Sequence, residues 1–163
     1  MTHIYTDGSC RINPGAGAFA VIVLNENIIT KAYRQETENT TNNREELKAI
    51  IWAIEYALNN PNNKYIIYTD SSYAEQSINK WSFNWSLNDW KNSKGFTVEN
   101  LDLIKTLYYY NNKDFPNFQV VKTKGHVGNI GNELADAAAT GNVSKIKKIF
   151  SQNNIYFRDE DEN

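Results

Sequence analysis

Apolar residues change their spacing repeatedly along this chain, and each change marks a new element. Residues 3–7 form a first strand, and "NPGAG" (13–17) is a turn. "AFAVIVL" (18–24) is a strongly apolar strand, "NEN" (25–27) a hairpin turn, and "IITKAYR" (28–34) the return strand. A polar loop (35–41) then leads into a helix starting near Asn42. Its apolar positions Leu47, Ile50, Ile51, Ile54 and Leu58 have the spacing of one buried face. "NNPNN" (59–63) stops that helix. "YIIYTD" (65–70) is a continuous apolar strand of the kind buried on both sides, followed by a short helix through Ile78. The stretch 80–96, "KWSFNWSLNDWKNSKGF", holds three of the four tryptophans. A second amphipathic helix covers 98–110, with Val98, Leu101, Ile104, Leu107 and Tyr108. "FQVVKTK" (118–124) is a strand, "GHVGNIG" (125–131) a glycine-rich loop and "NELADAAA" (132–139) a helix. The remainder is weakly amphipathic through Ile146, Ile149 and Phe150 and ends in the acidic run "RDEDE".

Three strands, helix, strand, helices, strand, helix is an α/β order. It predicts a mixed five-stranded sheet: an antiparallel meander of three strands, extended by two parallel strands through helical crossovers. No linker divides the chain. Residues 1–141 make the predicted domain and 142–163 an extension, expected to pack partly on it. "IYTDGS" (4–9) and "IYTDSS" (67–72) look alike, but their flanks share nothing, so they are not an internal repeat.

Bulk composition changes this picture little. The 163 residues suit one domain, with 40% hydrophobic and 22% charged residues. Asparagine is frequent but scattered, as genomic base bias would leave it. Cys10 is the only cysteine, so no internal disulfide or zinc-type cluster exists, which suits a cytosolic or nuclear chain. "MTHIYTD" has no apolar signal region and no run reaches membrane-spanning length. A net charge of −2 gives no global basic field.

The candidate chemistry lies in carboxylates. Asp7 and Asp70 each end a strand, where α/β sheets open their crevices. Singly, an Asp before Gly or Ser is a common turn or helix cap. As a pair on neighbouring strands, they would repel unless a cation held them. Glu46 lies one turn before Ile50, at the edge of the apolar stripe and aimed at the sheet. Glu45 is turned about 100° away and suits a helix-dipole acid. Asp136 sits among Ala135, Ala137, Ala138 and Ala139, small residues that let a helix approach closely; alone it reads as a solvated acid. Such carboxylates, converging without cationic side chains, suit Mg²⁺ or Mn²⁺. Two such ions about 4 Å apart can drive phosphodiester hydrolysis. His126, on the glycine loop, could carry protons near neutral pH, or be a plain surface histidine.

Together "YTDGSCRINPGAG", "TTNNREEL", "YTDSSYA", "KWSFNW…W" and "KGHVGNIGNELADAAA" resemble ribonuclease H of the type-1 cellular and bacterial group. The resemblance spans residues 3–140 in order and spacing. It implies the ribonuclease H-like fold and a cytoplasmic, monomeric endonuclease that cleaves RNA in RNA/DNA hybrids, leaving 5′-phosphate and 3′-hydroxyl ends. It also implies that Asp7, Glu46, Asp70 and Asp136 hold two Mg²⁺, with Asp7 bridging. Asp7 and Asp136 would hold the ion at the attacking water, and Asp7, Glu46 and Asp70 the ion at the leaving 3′-oxygen. His126 would assist proton transfer or product release, with Glu133 as an outer acid. Asn13, Asn42 and Asn43 would contact the minor groove of the hybrid, where donors and acceptors meet 2′-hydroxyls and base edges. Thr41 and Asn84 would grip a DNA phosphate, and Trp81 and Trp85 would line the deoxyribose path. Turn formation (Asn13), helix capping (Asn42, Asn43) and a small satellite core (the tryptophans) are the plainer uses of these residues.

The chain also departs from that family. Its protrusion carries Ser86, Leu87, Asn88 and Asp89 where relatives place Lys and Arg, leaving Lys80, Lys91 and Lys94. Asn39 stands where some members place an arginine in the phosphate pocket, and Ser72 replaces a frequent glutamine. Phosphate contacts dominate such binding, so weaker and less processive binding is expected. With the first strand at residue 3, no separate hybrid-binding domain is expected before it. A non-catalytic hybrid-binding module, or a same-fold nuclease for other nucleic-acid structures, is the alternative. The four carboxylates weigh against the former, and "TTNN" with the tryptophan protrusion against the latter.

Overall fold

The computed structural model describes residues 1–114, 116–123 and 129–158. Strand β1 (Thr2–Cys10) pairs antiparallel with β2 (Gly15–Asn25), which pairs antiparallel with β3 (Ile28–Thr40). Helix α1 (Asn42–Asn59) crosses over to β4 (Tyr65–Thr69), parallel to β1 on its other side. A helical run follows: α2 (Ser72–Gln76), a π-helical turn (Ser77–Trp81) and α3 (Ser82–Leu87). Then come α4 (Leu101–Asn111), β5 (Phe118–Lys122), α5 (Ile130–Ala139), α6 (Val143–Asn153) and β6 (Tyr156–Phe157). The sheet order is β5-β4-β1-β2-β3-β6.

Alternation along β2 builds two cores. Phe19, Val21 and Val23 face α1 and share one core with its Leu47, Ile50 and Ile54, which Ile104 and Leu107 of α4 extend. Ile22 and Leu24 face the other way, onto Leu134 of α5 and Ile149 of α6. Helices thus cover both faces, as the crossovers require.

Three expectations change. The sheet has six strands rather than five, because Ile155 is buried and draws β6 alongside the free edge of β3. There, Tyr156 N–H donates to Asn27 O and Arg158 N–H to Ile29 O, both at 2.9 Å. The polar segment 35–40 is strand, not loop. Backbone pairing with Gly15–Phe19 holds it whatever its side chains, which point mostly to solvent. Helix α4 starts at Leu101, after Asn100 in the left-handed region (φ 59°), so Val98 is buried ahead of the helix.

Among the described residues no helix is long and apolar enough to cross a membrane.

Candidate active site

The two "IYTD" segments are neighbours, matched residue for residue: Ile4 pairs with Ile67 and Tyr5 with Tyr68 across β1 and β4. Thr6 ties the strands further, its hydroxyl donating to Tyr68 O at 2.7 Å. Two residues on, the same register sets Asp7 beside Asp70. Glu46 comes from the first turns of α1. One carboxylate oxygen from each of Asp7, Glu46 and Asp70 lies within 4.8 Å of the others.

Gly8 makes this approach possible. A Cβ there would strike the backbone of Glu45 and Glu46, so β1 presses directly on α1. Gly8 and Ser9 thus stay within the strand, instead of freeing a turn for substrate as their small size suggests. Gly131 plays the same part on the opposite face. A Cβ there would strike the Tyr5 ring, so α5 sits close on β1 and carries Asp136 to the site. After β4, Ser71 caps α2, accepting from Ala74 N–H at 3.0 Å.

Burial and mutual repulsion govern the acids. Asp7 is 5% exposed, and burial, then the charges of Asp70 and Asp136, push its carboxyl up to about 7. Burial first, then Asp7 and Asp70, drive Glu46 well above the ordinary range. Asp70, at the rim, is also raised, chiefly by burial. Oε2 of Glu46 is buried with no hydrogen-bond partner among the described residues. Three crowded carboxyls with an unpartnered inward oxygen fit a hard divalent cation, which would accept all of these oxygens and relieve their repulsion.

Asp136, half-buried on α5, stands outside the group of three but acts on Asp7 through its charge. Its Oδ2 accepts from Lys145 Nζ of α6 at 3.1 Å. The expected absence of cationic side chains therefore fails at this one corner. The same helix carries Glu133 one turn earlier, half-buried. His126 lies outside the described residues.

Glu45 departs furthest from its sequence reading. It sits in the first turn of α1 but is fully buried, pressed by Gly8 of β1 and bonded to the end of β3. Its Oε2 accepts from Thr40 Oγ1 at 3.0 Å and from Lys48 Nζ at 2.8 Å, and Lys48 also donates to Thr37 at 2.7 Å. Helical periodicity does not reveal the threonines, since Thr37 and Thr40 come from another element.

The other predicted residues lie on the turn between β1 and β2, at the start of α1 and on the helical run after β4. Thr41 caps α1, accepting from Arg44 N–H at 3.2 Å. Asn42 Oδ1 accepts from Cys10 N–H at 2.6 Å, while Asn13 Oδ1 accepts from Asn42 N–H at 3.1 Å. Thr41, rather than Asn42 or Asn43, therefore caps the helix, while the oxygen of Asn42 ties α1 to β1 and that of Asn13 ties the turn after β1 to the start of α1. Asn43 is exposed on the first turn of α1. On the helical run, Trp81 and Trp85 lie with ring centroids 5.8 Å apart, and Asn84 is exposed between them. Tyr73 packs on Trp81, and its hydroxyl accepts from Asn100. Asn100 Oδ1 in turn accepts from Arg44, which also pairs with Asp102 at 2.9 Å. These linked side chains fix the tryptophan helix relative to the start of α1. Trp85 and Trp90 both pack against the main core, Trp90 edge-on to Tyr108.

A sequence model of the family described as RNase H matches residues 1–144. The ribonuclease H of Orientia tsutsugamushi (strain Boryong) is 41% identical over 150 residues, covering 92% of this chain and 86% of that protein. Among solved structures, the ribonuclease H domain of prototype foamy virus superposes with a TM-score of 0.73 at 24% identity, over 86% of this chain and 92% of that one. LC11-RNase H1 in complex with an RNA/DNA hybrid superposes with a TM-score of 0.63 at 19% identity, over 89% of this chain and 98% of that one.

Proposed function

The chain belongs to the ribonuclease H family and is a nuclease, and from that premise we propose that it hydrolyses the RNA strand of RNA/DNA hybrids using two divalent ions. The observation that carries the reading is the meeting of Asp7, Glu46 and Asp70, from three elements, within 4.8 Å. Asp7, Glu46 and Asp70 would hold one ion, and Asp7 with Asp136 the other. When bound, Mg²⁺ (or Mn²⁺) supplies the Lewis acidity that activates water and stabilises the leaving 3′-oxygen, leaving 5′-phosphate and 3′-hydroxyl ends. His126 would move a proton near the leaving group or aid product release, with Glu133 outside it.

The protein's own groups sort the substrate. With their oxygens tied inward, Asn13 and Asn42 keep their NH₂ groups for acceptors in the minor groove, joined by Asn43. The Thr41 oxygen already accepts a backbone N–H, so its O–H is left to donate to a DNA phosphate, with Asn84 beside the same strand. Trp81 and Trp85 offer aromatic faces to a sugar that lacks a 2′-hydroxyl. The few cations of the protrusion make binding weak and short-lived. We take residues 1–141 as the catalytic unit of a cytoplasmic monomer.

The test is cleavage of matched RNA/DNA hybrid, double-stranded RNA and double-stranded DNA, in Mg²⁺ and in EDTA. Cleavage confined to the hybrid and abolished by EDTA is expected. Cleavage of all three, or undiminished cleavage in EDTA, overturns the reading.

A further inference from the structure

We propose that Lys145 is a built-in competitor for the divalent ion: its ammonium holds Asp136 until an ion takes that carboxylate, and so sets how much ion the site requires. The proposal rests on the reading that Asp136 is one of the ion-holding carboxylates.

Four ion pairs are seen among the described residues, and only Lys145–Asp136 reaches any of the four predicted ligands. Its position is built into the backbone. Gly141, in the left-handed region at φ 72°, turns the chain between α5 and α6. Asn142 N–H donates to Ala137 O at 2.8 Å, and its side chain accepts from Lys145 N–H at 3.1 Å, so α6 starts beside the end of α5. Ile149 and Ile155 then anchor α6 and the strand after it in the second core. Lys145 lies just beyond residues 1–144, the segment matched by the family.

An ammonium and a divalent ion cannot share one carboxylate oxygen without repulsion. Lys145 and Asp136 keep 37% and 47% of their side-chain surface exposed, so water screens the pair. A singly charged group on a flexible stem therefore yields to a doubly charged ion that Asp7 and Asp136 hold together. It shifts the ion concentration needed without blocking the site.

Calorimetric titration of Mn²⁺ into the full chain without nucleic acid tests this, at low salt, for wild type, Lys145→Met, Lys145→Arg and Asp136→Asn. Lys145→Gln duplicates Lys145→Met should the latter fold poorly. Lys145→Met should bind Mn²⁺ about two- to fivefold more tightly, with Lys145→Arg close to wild type. High salt should erase the difference. Equal or weaker binding by both Lys145→Met and Lys145→Gln overturns the proposal and leaves the carboxylate site standing. Mn²⁺ uptake unaffected by Asp136→Asn overturns the proposal together with the site reading beneath it.

Discussion

Asp7→Asn should make the ion-free protein more stable at alkaline pH while abolishing its activity. Asp7 is buried, and its carboxyl rises from 3.8 to about 7 through burial and the charges of Asp70 and Asp136. The fold therefore binds this proton more tightly than the unfolded chain does. The stability so contributed is full below the unfolded value of 3.8 and is lost as pH climbs through about 7. Ionising Asp7 within the fold thus costs about 4 kcal/mol, at about 1.4 kcal/mol per tenfold change in acidity. Glu46 and Asp70 relieve part of the same repulsion by holding protons themselves, so about half, ~2 kcal/mol, should be recovered by Asn. For a chain of this length that is roughly 4–8 °C in Tm. Thermal and urea unfolding in EDTA at about pH 5 and about pH 8 read it directly. The advantage of Asp7→Asn should widen from the lower pH to the higher. In saturating Mg²⁺ the order should reverse, because only the wild type gains binding energy from the ion. An advantage that is absent at the higher pH, or that shrinks as pH rises, would refute the electrostatic argument.

Further substitutions probe the β1–α1 contact, the buried Glu45 and the protrusion. Gly8→Ala places a methyl against the backbone of Glu45 and Glu46 and should cost about 3 kcal/mol or more in urea unfolding. Lys48→Met strips Glu45 of its cation while Glu45 stays fully buried, and should cost about 3 kcal/mol; adding Glu45→Met should recover much of it. Leu87→Lys with Asp89→Lys restores charge at two exposed protrusion sites. It should tighten hybrid binding and steepen its salt dependence by about 0.9 in log–log slope for each further phosphate neutralised.

Strand-end acids are the legible half of this site. The matching "IYTD" segments run parallel in the same register, so their sequence likeness maps directly onto adjacent positions in space. Helical spacing also aims Glu46 correctly, at 8% exposure. What escapes a sequence reading depends on partners from other elements. The helix that carries Glu45 says nothing of the β3 threonines that bond to it and to Lys48. The pairing of residues 35–40 is a backbone event, invisible to a polar pattern. Lys145 is nine residues from Asp136 across a turn, a spacing with no periodic signature, and β6 is too short to announce itself. The family resemblance groups Asp136 with the rest, where the residue alone reads as a solvated helix acid.

On the proposed function, strand-end carboxylates hold the ions that cut RNA paired with DNA. The most direct measurement is cleavage of an RNA/DNA hybrid labelled on the RNA strand, in Mg²⁺, by wild type and by Asp70→Asn of verified fold. Wild type should cut the RNA strand to products with 5′-phosphate ends, and Asp70→Asn should be slower by at least about a hundredfold. Wild-type cleavage rates in Asp70→Asn would contradict the account.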